Sequence, residues 1–150
     1  MSEANIALAH LRLVKPTLET PFHISREWWE REGRDFRIEL RVHLCPEHRE
    51  VYKDHYDTEV IDWIDEQTGE VTRVDGLQHV IREHCSLEPG YLGQDVSLVD
   101  VVFRVFLANG NKPLSPQELG DITGRYPVRI LRTLSGTRVY KGLRPVVEPL

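Results

Sequence analysis

The sequence predicts an α+β fold in two lobes, residues 1–93 and 94–150, and three observations carry that reading. Residues 36–44 alternate strictly between apolar and polar side chains, the period of a half-buried strand. Two further β-rich runs, 59–65 and 70–75, flank the turn residues Gln67, Thr68 and Gly69 and so predict a hairpin. From residue 96 onward the apolar positions follow helical spacing, and two later segments carry helix start and stop residues.

Taken in order, residues 1–21 form a leading arm that ends in Pro16 and Pro21. Ser25 is placed to cap a helix, Glu27 and Glu30 favour its positive end, and Gly33 is placed to stop it. Trp28 and Trp29 are adjacent, so on a helix they point about 100° apart and serve different neighbours. In the predicted strand 36–44, Phe36, Ile38, Leu40, Val42 and Leu44 share one face, while Arg37, Glu39, Arg41 and His43 share the other. After the hairpin, Gly76 opens a helix over residues 77–85, with Leu77, Val80 and Ile81 at i, i+3 and i+4. Pro89 and Gly90 mark a loop. The helix from 96 is apolar around most of its circumference and is expected to lie between layers, with Asn109, Gly110 and Asn111 ending it.

Both cysteines stand among metal-ligand residues. Cys45-x2-His48 follows the predicted strand, and His79, His84 and Cys85 close the following helix. A pair from each cluster would complete a tetrahedral zinc site, with Cys45, His48, His79 and Cys85 as the first set and His84 in place of His79 as the second. Two buried free thiols, or one disulfide, are the alternatives, the disulfide being disfavoured in a reducing compartment. The zinc is expected to be structural, because no His-Glu-x-x-His or deaminase pattern is present. Glu47 and Glu83 lie near the clusters and would be the bases of a metal-dependent hydrolase, the weaker reading.

Composition sets outer bounds. The chain has 150 residues, 40% hydrophobic and 29% charged, as in ordinary globular domains. No apolar run is long enough to span a membrane and no secretory signal pattern is evident, so a cytoplasmic location is the expectation. The formal net charge of −5 is uneven: residues 111–150 carry 7 Lys/Arg against 3 Asp/Glu. A basic end on an acidic body points to contact with a polyanion.

In that basic end, Ser115 precedes Pro116 and is followed by Glu118, a capping box with proline at the first helical position. Gly124 stops the helix. Pro127 begins another, with Val128, Ile130, Leu131 and Leu134 as its apolar residues. Residues 137–147 are expected to form a basic hairpin with Lys141 and Gly142 at its tip. Helix, glycine turn, helix and basic hairpin resemble the winged helix-turn-helix superfamily over roughly the last third of the chain. The resemblance implies a second helix in the major groove and a wing on the backbone. It implies Arg125, Arg129, Arg132 and Thr133 as groove or phosphate contacts, and Arg138, Lys141 and Arg144 as wing contacts. The expected function is a zinc-containing, DNA-binding transcriptional regulator of the bacterial type, compatible with a homodimer. The alternative is a protein-interaction adaptor with a structural zinc and no nucleic acid.

Overall fold

The computed structural model describes residues 15–52 and 60–146. Within them the fold is mixed α+β, with seven α-helices and two small antiparallel sheets. The order is β1 (Phe22–Ile24), α1 (Arg26–Arg31), α2 (Phe36–Val42), α3 (Pro46–Val51), β2 (Val60–Ile64), β3 (Val71–Asp75), α4 (Gly76–Glu83), a 3-10 turn (Cys85–Leu87), α5 (Leu98–Ala108), α6 (Pro116–Thr123), α7 (Pro127–Leu134) and β4 (Leu143–Pro145). Residues 1–14 of the expected arm, Glu59 of the expected hairpin and Val147 of the expected basic hairpin lie outside the described residues. No helix among the described residues is long and apolar enough to cross a membrane.

Most helix boundaries follow from their caps. The Ser25 hydroxyl accepts the N–H of Trp28 at 3.2 Å and starts α1. Ser115 and Glu118 form the reciprocal box at the head of α6, and Gly124, at φ 73°, turns the chain into α7 behind Pro127. Gly120 is tied to that turn, since a Cβ there would lie 2.6 Å from Pro127 Cγ. β2 and β3 form the expected hairpin, with Ile64 opposite Val71. The Asp65 carboxylate accepts the N–H groups of Gln67 and Thr68 at 2.8 and 3.1 Å, which shapes the turn.

Residues 36–44 are not a strand. Asp35 accepts the N–H of Arg37 at 2.9 Å and starts α2 instead. Phe36, Leu40 and Leu44 recur every fourth residue and satisfy a strand or a helix equally, so they could not decide between the two. The deciding residues are Ile38 and Val42, 54% and 47% exposed, and Glu39 and His43, which are buried. A strand would have reversed both pairs.

The basic hairpin is corrected as well. Lys141 and Gly142 do form a turn, at φ 51° and 77°. Residues 137–140 contribute no strand to it, and β4 pairs antiparallel with β1, Phe22 opposite Pro145 and Ile24 opposite Leu143. The turn is docked rather than projecting: the Gly142 carbonyl accepts the N–H of Ser25 at 2.8 Å, and a Cβ on Gly142 would lie 2.7 Å from Trp29 Nε1. On its other edge β1 exchanges backbone bonds between Phe22 and Leu114 at 2.8 and 3.1 Å. The Asn111 amide then satisfies both the N–H and the carbonyl of Ile24 at 2.8 and 2.9 Å.

One core unites these elements. Phe22, Leu40, Leu77, Ile81, Phe103, Phe106, Leu119, Ile130 and Leu143 are all buried in a single cluster. Helix α5 runs through its middle, burying Val101, Val102, Phe103, Val105 and Phe106. Trp29, Phe36 and Phe103 meet beside it, with ring centroids 5.3 to 6.3 Å apart. The two expected lobes, divided after residue 93, thus contribute to the same cluster.

Candidate functional site

Three side chains converge where α3 begins and α4 ends. Pro46 occupies the first turn of α3, which makes Cys45 the cap residue and sets His48 one turn further on. His48 Nδ1 lies 3.0 Å from Cys45 Sγ. At the far side, His84 leaves helical geometry (φ −127°, ψ −59°) and the 3-10 turn brings Cys85 inward. Its Sγ lies 3.4 Å from Cys45 Sγ and 3.7 Å from His48 Nδ1.

Cys45, His48 and Cys85 form a group that could hold a metal ion. A tetrahedral zinc with bonds of about 2.0–2.3 Å sets sulfur–nitrogen and sulfur–sulfur donor pairs about 3.5–3.8 Å apart, within about half an ångström of the distances here. Both thiols are free and buried, and His48 is half-buried. Burial pushes the Cys85 thiol up to about 12, and the neighbouring Cys45 sulfur adds to the rise. A bound cation would invert that preference by stabilising the thiolates. His79 is half-buried on α4 and does not join the group. The change of course at His84 swings Cys85 toward Cys45 and leaves His79 behind on the helix. His84 itself is exposed, with its ring stacked on His48 at 5.2 Å between centroids. Glu47 and Glu83 are exposed surface residues.

The basic residues divide into two sets. Arg125 is spent inside the protein: its guanidinium donates to the carbonyls of Gly93 and Val96 at 3.1 and 2.6 Å and pins the loop before α5. Lys141 is likewise internal. Its ammonium pairs with Glu39 and, at 2.6 Å, with Asp100. Neither side chain is available in the role the superfamily resemblance implied. Arg129, Arg132 and Arg138 are exposed, with Arg129 beside Tyr126 and Arg138 beside Tyr140. Thr133, half-buried, returns its hydroxyl to the Arg129 carbonyl at 2.9 Å. Arg144 lies on β4 opposite His23, whose pKa is lowered by burial and by that charge.

Lys141 belongs to a buried polar network that the sequence did not disclose. Arg104 Nε donates to His43 Nδ1 at 3.0 Å, which leaves the ring proton on Nε2, 3.9 Å from Glu39 Oε1. Arg104 also donates to the Tyr91 carbonyl at 2.9 Å, and the Tyr91 hydroxyl donates back to the Arg104 carbonyl at 2.7 Å. Burial favours neutral His43 and lowers its pKa. Burial alone would raise Glu39, but the nearby His43 ring and the paired Lys141 ammonium bring it below its ordinary value. Glu39, His43 and Asp100 have donor atoms within 4.8 Å of one another, the spacing of a metal group, but the Lys141 ammonium already supplies the cation there. The strand reading hid this set by placing Glu39 and His43 on the solvent face; their i, i+4 spacing was the available signal.

Comparison with protein-family models, with curated proteins and with solved structures finds no match to this chain.

Proposed function

We propose that this chain is a zinc-stapled, helix-turn-helix protein that binds duplex DNA through α7. The observation that carries the reading is the surface of α7: Arg129 and Arg132, with Arg138 just beyond, are exposed and in no ion pair among the described residues. Cations left to solvent on a helix that follows a tight glycine turn suit phosphate and base-edge contact. Arg144 on β4 would extend the basic surface; a projecting wing is not part of the proposal. Zinc at Cys45, His48 and Cys85 would serve to fasten α3 to the end of α4, since thiolate and imidazole donors favour that ion.

The test is fluorescence anisotropy of a labelled mixed-sequence duplex with the full chain at about 50 and about 200 mM salt. Phosphate binding predicts a steep loss of affinity between the two, and loss of binding in an Arg129→Glu, Arg132→Glu variant that still folds. Binding that survives both changes would remove α7 as the DNA-contacting surface, and no binding at the lower salt would remove the DNA reading altogether.

A protein-adaptor role is the second reading. Ile122 on α6, and Tyr126 and Val128 at the start of α7, are exposed, at 49%, 75% and 49%. Large apolar side chains left to solvent around this turn would suit a protein partner. Salt-insensitive behaviour with no duplex affinity at low salt would favour it.

A further inference from the structure

We propose that Cys45 and Cys85 are a redox modification site, closing to a disulfide when a peroxide reaches the chain without metal. The idea deepens the metal reading, because the same two sulfurs cannot bind an ion and each other at once. Their Sγ atoms are 3.4 Å apart before any reaction. A disulfide needs about 2.05 Å, so the two sulfurs have to close by only about 1.4 Å. The chain has 2 cysteines, so neither has another thiol of its own chain to pair with.

The chemistry balances with the peroxide as sole oxidant. Cys45 is the more exposed residue of the two, 9% against 1% for Cys85. Its sulfur attacks one peroxide oxygen and the O–O bond breaks. The other oxygen departs as water with the thiol proton, leaving a sulfenic acid on Cys45. The Cys85 sulfur then attacks the sulfenic sulfur, the S–O bond breaks, and a second water carries away the Cys85 proton. The sulfur pair loses two electrons and the peroxide gains them. A metal held between the sulfurs blocks the first step by occupying the attacking lone pair, so metal and disulfide are alternative fastenings of one junction.

The experiment treats the chelator-stripped, reduced full chain with hydrogen peroxide and follows free thiols, intact mass and peptide maps. The expected result is loss of both thiols, a mass lower by two hydrogens, one linked peptide pair containing Cys45 and Cys85, and reversal by dithiothreitol. Retention of both thiols overturns the proposal. So does oxidation of each cysteine to a sulfinic acid, or linkage only between chains. No substitution is needed, so a variant that fails to fold does not enter. The metal reading is judged separately, by cobalt(II) absorption of the reduced chain: a chain that binds no cobalt but closes its disulfide defeats that reading and sustains this one.

Discussion

The indole N–H of Trp29 donates to the backbone carbonyl of Lys141 at 2.9 Å, across 112 positions of sequence. That bond holds the Lys141 turn against the core, and the ammonium of the same residue then enters the space between Glu39 and Asp100. Lys141→Met keeps much of the aliphatic stem and removes the charge. It leaves Glu39 without its main cation in a buried setting, a change worth about 3–5 kcal/mol where one partner of such a pair is lost. The urea midpoint should fall accordingly. A shift near zero would mean that solvent, not Lys141, neutralises Glu39.

Stability should decline with acid in two stages. His43 has a folded pKa below the ordinary 6.5, so it contributes stability above that pH, and the contribution is lost as pH falls through the lower folded value. Glu39 is also depressed, so its contribution is present above 4.5 and is lost further down. Urea melts at descending pH should show both declines, and Glu39→Gln should lack the second. An unchanged acid limb in that variant would contradict the role given to Glu39.

Metal loading should depend on Cys45, His48 and Cys85 and tolerate the loss of His79. Cobalt(II) should give thiolate charge-transfer absorption in the wild type and in His79→Ala, with weakened or absent absorption in Cys45→Ser and Cys85→Ser. Chelation should lower the thermal midpoint, because an ion bound only to the folded state stabilises it. Equal spectra in wild type and Cys45→Ser would exclude the site.

Arg125 and Arg129 should respond in opposite ways. Arg125→Ala deletes hydrogen bonds to the 93–96 loop, each worth about 1.5–3 kcal/mol when one partner is charged, so its main effect should be on stability. Arg129→Ala should leave the melt nearly unchanged and weaken duplex binding, with a smaller dependence on salt. Denaturation and anisotropy on the two variants separate the roles. The reverse pattern would mean that the basic surface has been misassigned.

The turn between α6 and α7 has little room for error. Gly120→Ala would drive a methyl toward Pro127 Cγ at 2.6 Å and the Arg125 carbonyl at 3.0 Å. Because a proline ring and a backbone oxygen cannot swing aside, about 1–3 kcal/mol of overpacking cost is expected. Thermal melts read this directly, and a wild-type midpoint would show that the two helices can slide apart freely.

What could be read from the residues beforehand was mostly local. The Ser115–Glu118 box, the Gly124 stop, Pro127 and the hairpin over 60–64 and 71–75 rest on short-range chemistry, and each appears where expected. Cys45, His48 and Cys85 were recognisable by residue type and spacing; the exclusion of His79 depends on the break at His84, which spacing alone does not show. Phe36, Leu40 and Leu44 concealed a helix because strand and helix periods coincide every fourth residue. β1 is three residues long, and nothing in the run Phe22–Ile24 announces that its partners lie at Leu114 and β4. The internal use of Arg125 and Lys141 is of the same kind: a cation looks alike in sequence whether it faces phosphate or a buried carboxylate.

The pairing of β1 with β4 also bears on how the molecule comes into being. A ribosome releases Phe22–Ile24 early, yet their partner residues 143–145 emerge only after the whole of the intervening chain. Until then Phe22 and Ile24 lack that strand partner, and the core around α5 lacks Leu143. Distant pairings of this sort slow folding and prolong the exposure of apolar side chains. Nascent chains arrested before residue 143 should therefore be markedly more susceptible to protease and more dependent on chaperones than chains released beyond it.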